Sequence, residues 1–562
     1  MTPPDAIPAL PADSTDGQAR AAACNTPHGH GANPEPVSFV TYNAGNRVLV
    51  KGPLEAAVAA ARRIDASLEV RVLATDPETN RLERPDTEDF GPRLLRARPD
   101  RIDGYLGAFR VTVHDGEQTL DPAKAFGLDP ADTFDLVVDL DQPAAIQRQK
   151  LPLGYFAPGD ETALAEVLDG LPDLVGDFDK PRYFDYDPGI CVHGRRGQSG
   201  CTSCLDHCAT EAIHSLGESI EVDPFLCLGC GSCATVCPTG AITYTAPSGE
   251  EIVDELRRLL RRYRDAGGGN PIVLFHDGES GAGAVSAWGG DMPESVLPVE
   301  VEDTGGIGPD AWLSALAFGA GRVILAVPGD TPPSERAATA DQMEVAQAIL
   351  AGLGIPADRL GIVDIGGDET ALTGAAEPVV DEPATFAGLG DKRARMRRAI
   401  DHLYRQTGAT ATVQALPAAS PLGTIEVDRD ACTLCMACVS VCPTQAVFGG
   451  GDEPKLKFRE DRCTQCGMCE STCPEDAIGL EPRIDYAAQV EPEERLLNEE
   501  EMHHCPGCGK AFAPRKVIAR MEERLKGHWM FDDEAARQRL WLCEDCRVKT
   551  MMRDQGSINV NK

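Results

Sequence analysis

No run of 18 consecutive apolar residues occurs in the 562-residue chain, which argues against a membrane-spanning helix. Positive charge is scarce as well. Fifty-three Lys and Arg stand against 89 Asp and Glu, a net charge of −36. That balance argues against nucleic acid or an anionic membrane surface as a partner and favours solubility and docking onto basic patches of proteins. The N-terminus, MTPPDAIPALPADSTDGQAR, has neither the basic start nor the apolar core of an export signal. A dinucleotide fingerprint is missing too. Gly52 stands alone where G-x-G-x-x-G is expected, so backbone cannot approach a pyrophosphate closely. No flavin, molybdopterin or nucleophile constellation is legible. Finally, the chain has no cysteine from Pro238 to Ala431.

Elsewhere cysteine is abundant, and 16 of the 21 fall into two blocks. In the second block Cys432, Cys435, Cys438 and Cys442 are spaced C-x2-C-x2-C-x3-C, with Pro443 next. Cys463, Cys466, Cys469 and Cys473 repeat the spacing, with Pro474 next. Such runs hold cubane iron–sulfur clusters, because soft thiolates suit iron and one tight loop offers three sulfurs. The fourth cysteine of each run ligates the other cluster. We therefore expect a third site on Cys432, Cys435, Cys438 and Cys473, and a fourth on Cys463, Cys466, Cys469 and Cys442.

The first block departs in one half. Cys227, Cys230, Cys233 and Cys237 keep the spacing, but nine residues (VHGRRGQSG) separate Cys191 from Cys201, and no proline follows Cys208. Cross-ligation assigns a first site to Cys191, Cys201, Cys204 and Cys237, and a second to Cys227, Cys230, Cys233 and Cys208. Three readings stay open for the odd loop: Cys191 ligates through it, His193 substitutes, or the cluster lacks a fourth protein ligand. Rich in glycine and short of apolar anchors, the loop is expected to be mobile and its cluster the most oxygen-labile. Its Arg195 and Arg196 read as solvated, with donation to cluster sulfur the alternative.

A short apolar pair follows each fourth cysteine: Ala212-Ile213, Ala241-Ile242, Ala446-Val447 and Ala477-Ile478. With this internal symmetry, residues 183–244 and 423–481 resemble the bacterial two-cluster ferredoxin domain. The resemblance implies a pseudo-twofold β-α-β repeat around two clusters, and four [4Fe–4S] clusters in all.

The remaining cysteines differ. Cys505-Pro-Gly-Cys508-Gly and Cys543-Glu-Asp-Cys546 read as a closed four-cysteine zinc site, with a fifth cluster or a rubredoxin-like iron as alternatives. His503 and His504 flank it. Cys24, beside His28 and His30 in a Pro/Ala-rich leader, reads as a tail thiol with some prospect of metal contact. Cysteines at metal-ligand spacing, without an export signal, point to a reducing cytosol.

The whole is expected to be multidomain, α/β and α+β. Residues 1–36 form a disordered leader, 37–182 an α/β domain without a nucleotide fingerprint, and 183–248 the first ferredoxin module. Residues 249–407 form a cysteine-free α/β domain flanked by basic helices, 408–422 a linker, and 423–484 the second module. Residues 485–562 form an acidic helix over Glu491–Glu501 and a zinc-ribbon-like segment, with a further helix over Lys516–Lys526. Residues 366–390 also read as linker. The basic runs RRLLRRYR (257–264) and KRARMRR (392–398) read as solvated helix faces, with pairing to an acidic neighbour domain as the alternative.

In residues 270–366 strands and helices alternate, and the phrase AFGAGRVILAV is similar to the delta subunit of methyl-viologen-reducing hydrogenase. That resemblance implies a fold that has lost its [2Fe–2S] cluster and kept a docking or scaffolding task. Taken together, the sequence reads as a cytosolic electron carrier within a larger oxidoreductase. Its likeness to multi-cluster ferredoxins of formate dehydrogenase and heterodisulfide-reductase-like systems implies those partners. A catalytic subunit with an unrecognised substrate site, or a redox sensor or maturation scaffold, are the alternatives.

Overall fold

The computed structural model describes residues 14–24, 38–75, 82–83, 90–115, 118–128, 133–278, 280–288, 292–367, 372–373, 377–410, 412–451 and 453–553. Part of the leader is ordered, contrary to expectation. Helix α1 (Thr15–Cys24) buries Ala19 and Ala23 against the core of residues 249–407. Asp16 Oδ1 accepts from Tyr263 Oη at 2.7 Å and from the Gly269 N–H at 2.9 Å, and Arg20 donates to the Pro293 carbonyl at 3.1 Å. Cys24, the last residue of α1, packs against the same core, and burial pushes its thiol up to about 12. It is a structural thiol rather than a tail thiol. His28 and His30 lie outside the described residues.

Five strands form the first parallel sheet: β1 (Arg47–Gly52), β2 (Glu69–Ala74), β3 (Leu94–Arg96), β4 (Leu136–Asp139) and β5 (Tyr155–Phe156), in the order β3-β2-β1-β4-β5. Helix α2 (Leu54–Ala61) packs on it. Strand order reverses between β1 and β4, the position where such sheets bind ligands at their carboxyl ends. Here that position is filled. Lys51, 1% exposed, pairs with Asp139 at 2.6 Å and Asp141 at 2.8 Å, while Asp139 also accepts from Tyr155 Oη. A Cβ at Gly52 would meet Leu140 Cβ at 2.8 Å. The strand ends at this position thus carry a buried ion pair and a close backbone approach at Gly52.

The middle unit has four parallel strands: β6 (Ile272–Asp277), β7 (Val296–Val301), β8 (Arg322–Val327) and β9 (Leu360–Asp364), in the order β7-β6-β8-β9. Their largely apolar, Val/Ile/Leu-rich sequences suit strands covered on both faces. Around them lie α3 (Gly249–Asp265), the wholly buried α4 (Pro309–Ala317), α5 (Pro333–Gly352) and α6 (Lys392–Thr407). Trp312 on α4 is fully buried. Helix α3 behaves as its basic pattern suggests. Leu256, Leu259, Leu260 and Tyr263 face inward, while Arg258 and Arg261 pair with Glu255 and Asp265 on the outside. Helix α6 does not, as its N-terminal residues lie between other units.

Two further expectations are corrected. Glu491–Glu501 is not helical: Arg495–Glu499 is a strand antiparallel to Glu453–Phe458. Lys455 and Lys457 on the partner strand pair with Glu499 and Glu494, which offsets the acidic repulsion, and Leu497 is buried. This strand extends the second cysteine-rich unit past residue 484. The presumed linker 408–422 carries Val413–Ala415, paired with Ile478–Asp485, and buries Leu416 and Leu422. Among the described residues 377–390 no helix or strand forms, although Val380 is buried and Phe386 lies 4.8 Å from Phe318.

Candidate redox centres

Both cysteine blocks fold as small units with two antiparallel strand connections each. In the first, Phe184–Tyr186 pairs with Ile242–Tyr244 and Ile213–Ser215 with Ile220–Val222. In the second, Gly423–Val427 pairs with Ile478–Asp485 and Val447–Gly450 with Glu453–Phe458. The backbone repeats as the spacing does. Each regular three-cysteine loop has two left-handed residues flanking its middle cysteine: Gly229 and Gly231, Leu434 and Met436, Gln465 and Gly467. The third residue after each fourth cysteine is left-handed too, at Glu211, Gly240, Gln445 and Asp476. A side chain in that region costs about 1–2 kcal/mol. Leu434, Met436 and Gln465 bear that cost where the loop must turn its N–H groups inward. The Gln465 side-chain Nε2 donates to the Cys463 sulfur at 3.3 Å, and the N–H groups of Ala212 and Ala477 donate to the sulfurs of Cys208 and Cys473 at 3.3 Å each.

The loops gather the cysteines in fours. Cys191, Cys201, Cys204 and Cys237 line one cavity, and Cys432, Cys435, Cys438 and Cys473 line another. Burial, then the neighbouring Cys230, Cys227 and Cys208, push the Cys233 thiol well up. Likewise burial, then Cys463, Cys466 and Cys442, push Cys469 up. Each group thus takes three cysteines from one run and one from its partner run. Crowded, half-desolvated thiols resist ionising together, so a polycation is what would hold them as thiolates. The donor set fits iron–sulfur clusters.

The odd loop takes a regular form. Gly194–Arg195 and Gln198–Ser199 form a two-residue-tip hairpin, and Val192, 2% exposed, anchors it. The loop therefore does have an apolar anchor, which its glycines obscured. His193 lines the same cavity as Cys191, but its ring nitrogens are engaged elsewhere. Its Nδ1 lies 2.9 Å from the Cys201 carbonyl and its Nε2 2.7 Å from Ser215 Oγ. With both ring nitrogens engaged, His193 braces the hairpin. Arg195 is not merely solvated: its Nη1 donates to the carbonyls of Cys442 at 3.3 Å and Pro443 at 3.4 Å.

The second site abuts the middle unit. Burial, then the nearby Glu335 carboxylate, push the Cys230 thiol well up, and a Cβ at Gly231 would fall 2.3 Å from Gly306 Cα. Lys180 donates to the Cys227 carbonyl at 2.6 Å and to Tyr42 Oη at 2.6 Å. Sequence reading missed both Lys180 and Glu335, because each reaches its cysteine loop from a different part of the chain.

The C-terminal cysteines have a different geometry. Sulfurs of Cys505, Cys508, Cys543 and Cys546 all lie within 4.8 Å of one another, alone among the cysteine groups of the described residues. That spacing suits one tetrahedral ion, whereas cubane thiolates bind separate irons and sit further apart. Burial would raise the Cys505 thiol, but the N–H groups of Cys543 and Gly507 outweigh it and hold it down at about 6. His503 is turned away, its Nε2 at 3.2 Å from the Trp541 carbonyl, and His504 Nδ1 lies 3.1 Å from the Gly509 carbonyl. The helix Arg515–Leu525 follows.

Comparison with known proteins bears on the two cysteine-rich units. Residues 431–477 match the 4Fe-4S dicluster domain family, and residues 220–243 match the 4Fe-4S binding domain family. Over 63 residues the chain is 30% identical to "Ferredoxin 7Fe" of Hydrogenibacillus schlegelii, a match covering 76% of that protein and 11% of this chain. The chain belongs to the ferredoxin family. A ferredoxin of Alicyclobacillus acidocaldarius is 31% identical over 61 residues, 78% of its length. Hydrogenase-4 component A of Escherichia coli is 38% identical over 56 residues, a quarter of that protein and a tenth of this one. This ferredoxin-family chain is therefore an iron–sulfur electron-transfer protein. Among the described residues, no helix is long and apolar enough to cross a membrane.

Proposed function

We propose that the chain is an electron relay carrying four [4Fe–4S] clusters, two in each ferredoxin-like unit, with one structural zinc ion near its C-terminus. The observation that carries this reading is the gathering of sixteen cysteines into four groups, each of three from one loop and one from the partner loop. When bound, a [4Fe–4S] cluster supplies a one-electron couple tuned by its ligands, hydrogen bonds to sulfur and exposure. The chain's own residues hold the thiolates, screen them from water and donate N–H groups to sulfur. Cys191 is the fourth ligand of the first site, since His193 has no free nitrogen. The four C-terminal cysteines take zinc, supported by their mutual spacing.

As a relay, the protein serves a larger cytosolic oxidoreductase. Its likeness to hydrogenase-4 component A supports a redox complex of that general kind, with formate dehydrogenase or heterodisulfide-reductase-like subunits as the partners first to be tried. The middle unit acts as scaffold, seating the second site where Gly306 packs on Gly231 and Thr235 donates to the Gly305 carbonyl. The test is elemental. Protein reconstituted anaerobically should hold close to sixteen iron and sixteen acid-labile sulfide per chain, beside one zinc. A reproducible value near eight iron would overturn the four-cluster reading.

A further inference from the structure

The two ferredoxin-like units meet at one junction, and three independent contacts place the first site against the fourth there. Val192 of the hairpin packs with Val441 and Met468 of the second unit, and Cys201 and Cys466 border that apolar contact. At Gly200, a Cβ would lie 2.7 Å from Met468 Cε, so the hairpin backbone runs directly against Met468. Arg195 bonds the carbonyls of Cys442 and Pro443.

From the other side comes Arg393 at the start of α6. Its Nη1 donates to the carbonyls of Pro238 at 3.3 Å and Pro421 at 3.2 Å. Its Nη2 donates to the carbonyls of Asp461 at 3.1 Å and Cys463 at 3.0 Å. Pro238 follows a cysteine of the first site, and Cys463 belongs to the fourth. One guanidinium therefore ties together the ligand loops of both. Lys392, next to it, donates to the carbonyls of Thr235, Ala234 and Cys237. A rigid five-donor fork is the group suited to this task, which a lysine cannot fully reproduce.

We propose that the four sites form one continuous electron path, in the order second, first, fourth, third, and that Arg393 is the positioning residue of its middle step. This rests on the four-cluster reading above. Cross-ligation makes neighbours of the first and second sites and of the third and fourth, while the junction supplies the remaining link. The inserted hairpin is then the device that joins two ferredoxin-like units into one conductor. At the junction a single electron crosses at a time: one site is oxidised by one electron, the other reduced by one, and no bond forms or breaks. The external reductant is a low-potential one-electron donor, and the final acceptor is a redox protein. The positive charge of Arg393 favours the reduced form of the sites on both sides of it.

The experiment uses the full chain reduced with dithionite and read by electron paramagnetic resonance, with iron analysis on every sample. Wild-type protein should show magnetic interaction within each unit and a further interaction across the junction. Arg393→Gln should keep sixteen iron and both within-unit interactions, lose the cross-junction interaction, and move two of the four reductions to more negative potential. Arg393→Lys should restore those potentials but not the full interaction. Where Arg393→Gln loses iron through misfolding, Arg195→Gln serves in its place and should weaken the cross-junction interaction alone. Sixteen iron with two magnetically independent pairs in the wild type would overturn the proposed order while leaving the four-cluster reading intact. Eight iron would overturn the four-cluster reading itself.

Discussion

Lys51 and Asp139 illustrate what single residues decide. They sit 88 positions apart and meet at the strand reversal of the first sheet. Removing one partner of a buried pair leaves an uncompensated charge and typically costs about 3–5 kcal/mol. Asp139 keeps the Ala145 and Asp141 N–H groups and Tyr155 Oη as donors. Lys51→Met should therefore destabilise the unit by about 3 kcal/mol, the low end of that range. Denaturant unfolding followed by far-ultraviolet circular dichroism would measure it. A loss below about 1 kcal/mol would mean that the pair is solvated like an ordinary surface bridge. From the sequence, Gly52 alone showed that the glycine fingerprint is missing. The sequence could not show which groups meet there, because the partners come from distant strands.

Among the elements, the regular cysteine loops were legible down to the residue, since their ligand spacing is local and the turn at each loop is set by two left-handed residues. Non-local elements were not. KRARMRR reads as a solvated face because charge runs usually are, yet Lys392 and Arg393 find backbone carbonyls of two other units to bind. Glu491–Glu501 reads as helix because its acids carry no period of their own, and it becomes a strand because Lys455 and Lys457 lie alongside. Helix α1 was hidden by a leader whose composition favours disorder around it. Its order has a simple check at Cys24. Reactivity follows the thiolate, and burial pushes this thiol up to about 12 from its ordinary 9. In native protein at pH 8, alkylation of Cys24 should be at least about tenfold slower than in urea-unfolded chain, because little thiolate is present. Equal rates, read by mass spectrometry of the N-terminal peptide, would return α1 to a free tail.

For the whole molecule, the C-terminal segment poses the question of how far a structural ion influences redox sites it does not touch. The four close-set sulfurs are tied to the second ferredoxin-like unit through the helix Arg515–Leu525. Arg520 and Arg524 both reach Glu475 at 2.9 Å, and Glu475 is nearly buried directly after Pro474, beside the third site's Cys473. Lys516 donates to the Arg429 carbonyl at 3.0 Å on the same unit. A closed four-cysteine zinc site contributes its binding energy to folding, so losing the ion should loosen the segment that carries these arginines. Cys508→Ser should therefore release zinc, leave iron close to sixteen under anaerobic conditions, and render the last sixty or so residues sensitive to limited proteolysis. The arginines that hold Glu475 and the Pro474 carbonyl, next to Cys473, go with them. On exposure to air the third site should then be the first to lose iron, and a three-iron paramagnetic signal should grow faster than in wild type. Glu475→Ala, which cuts the tie and keeps the zinc, should reproduce the oxygen sensitivity without the loss of zinc. An anaerobic fall of four iron in Cys508→Ser would instead identify these cysteines as a fifth cluster. Unchanged oxygen sensitivity in both variants would show that the segment covers nothing of consequence.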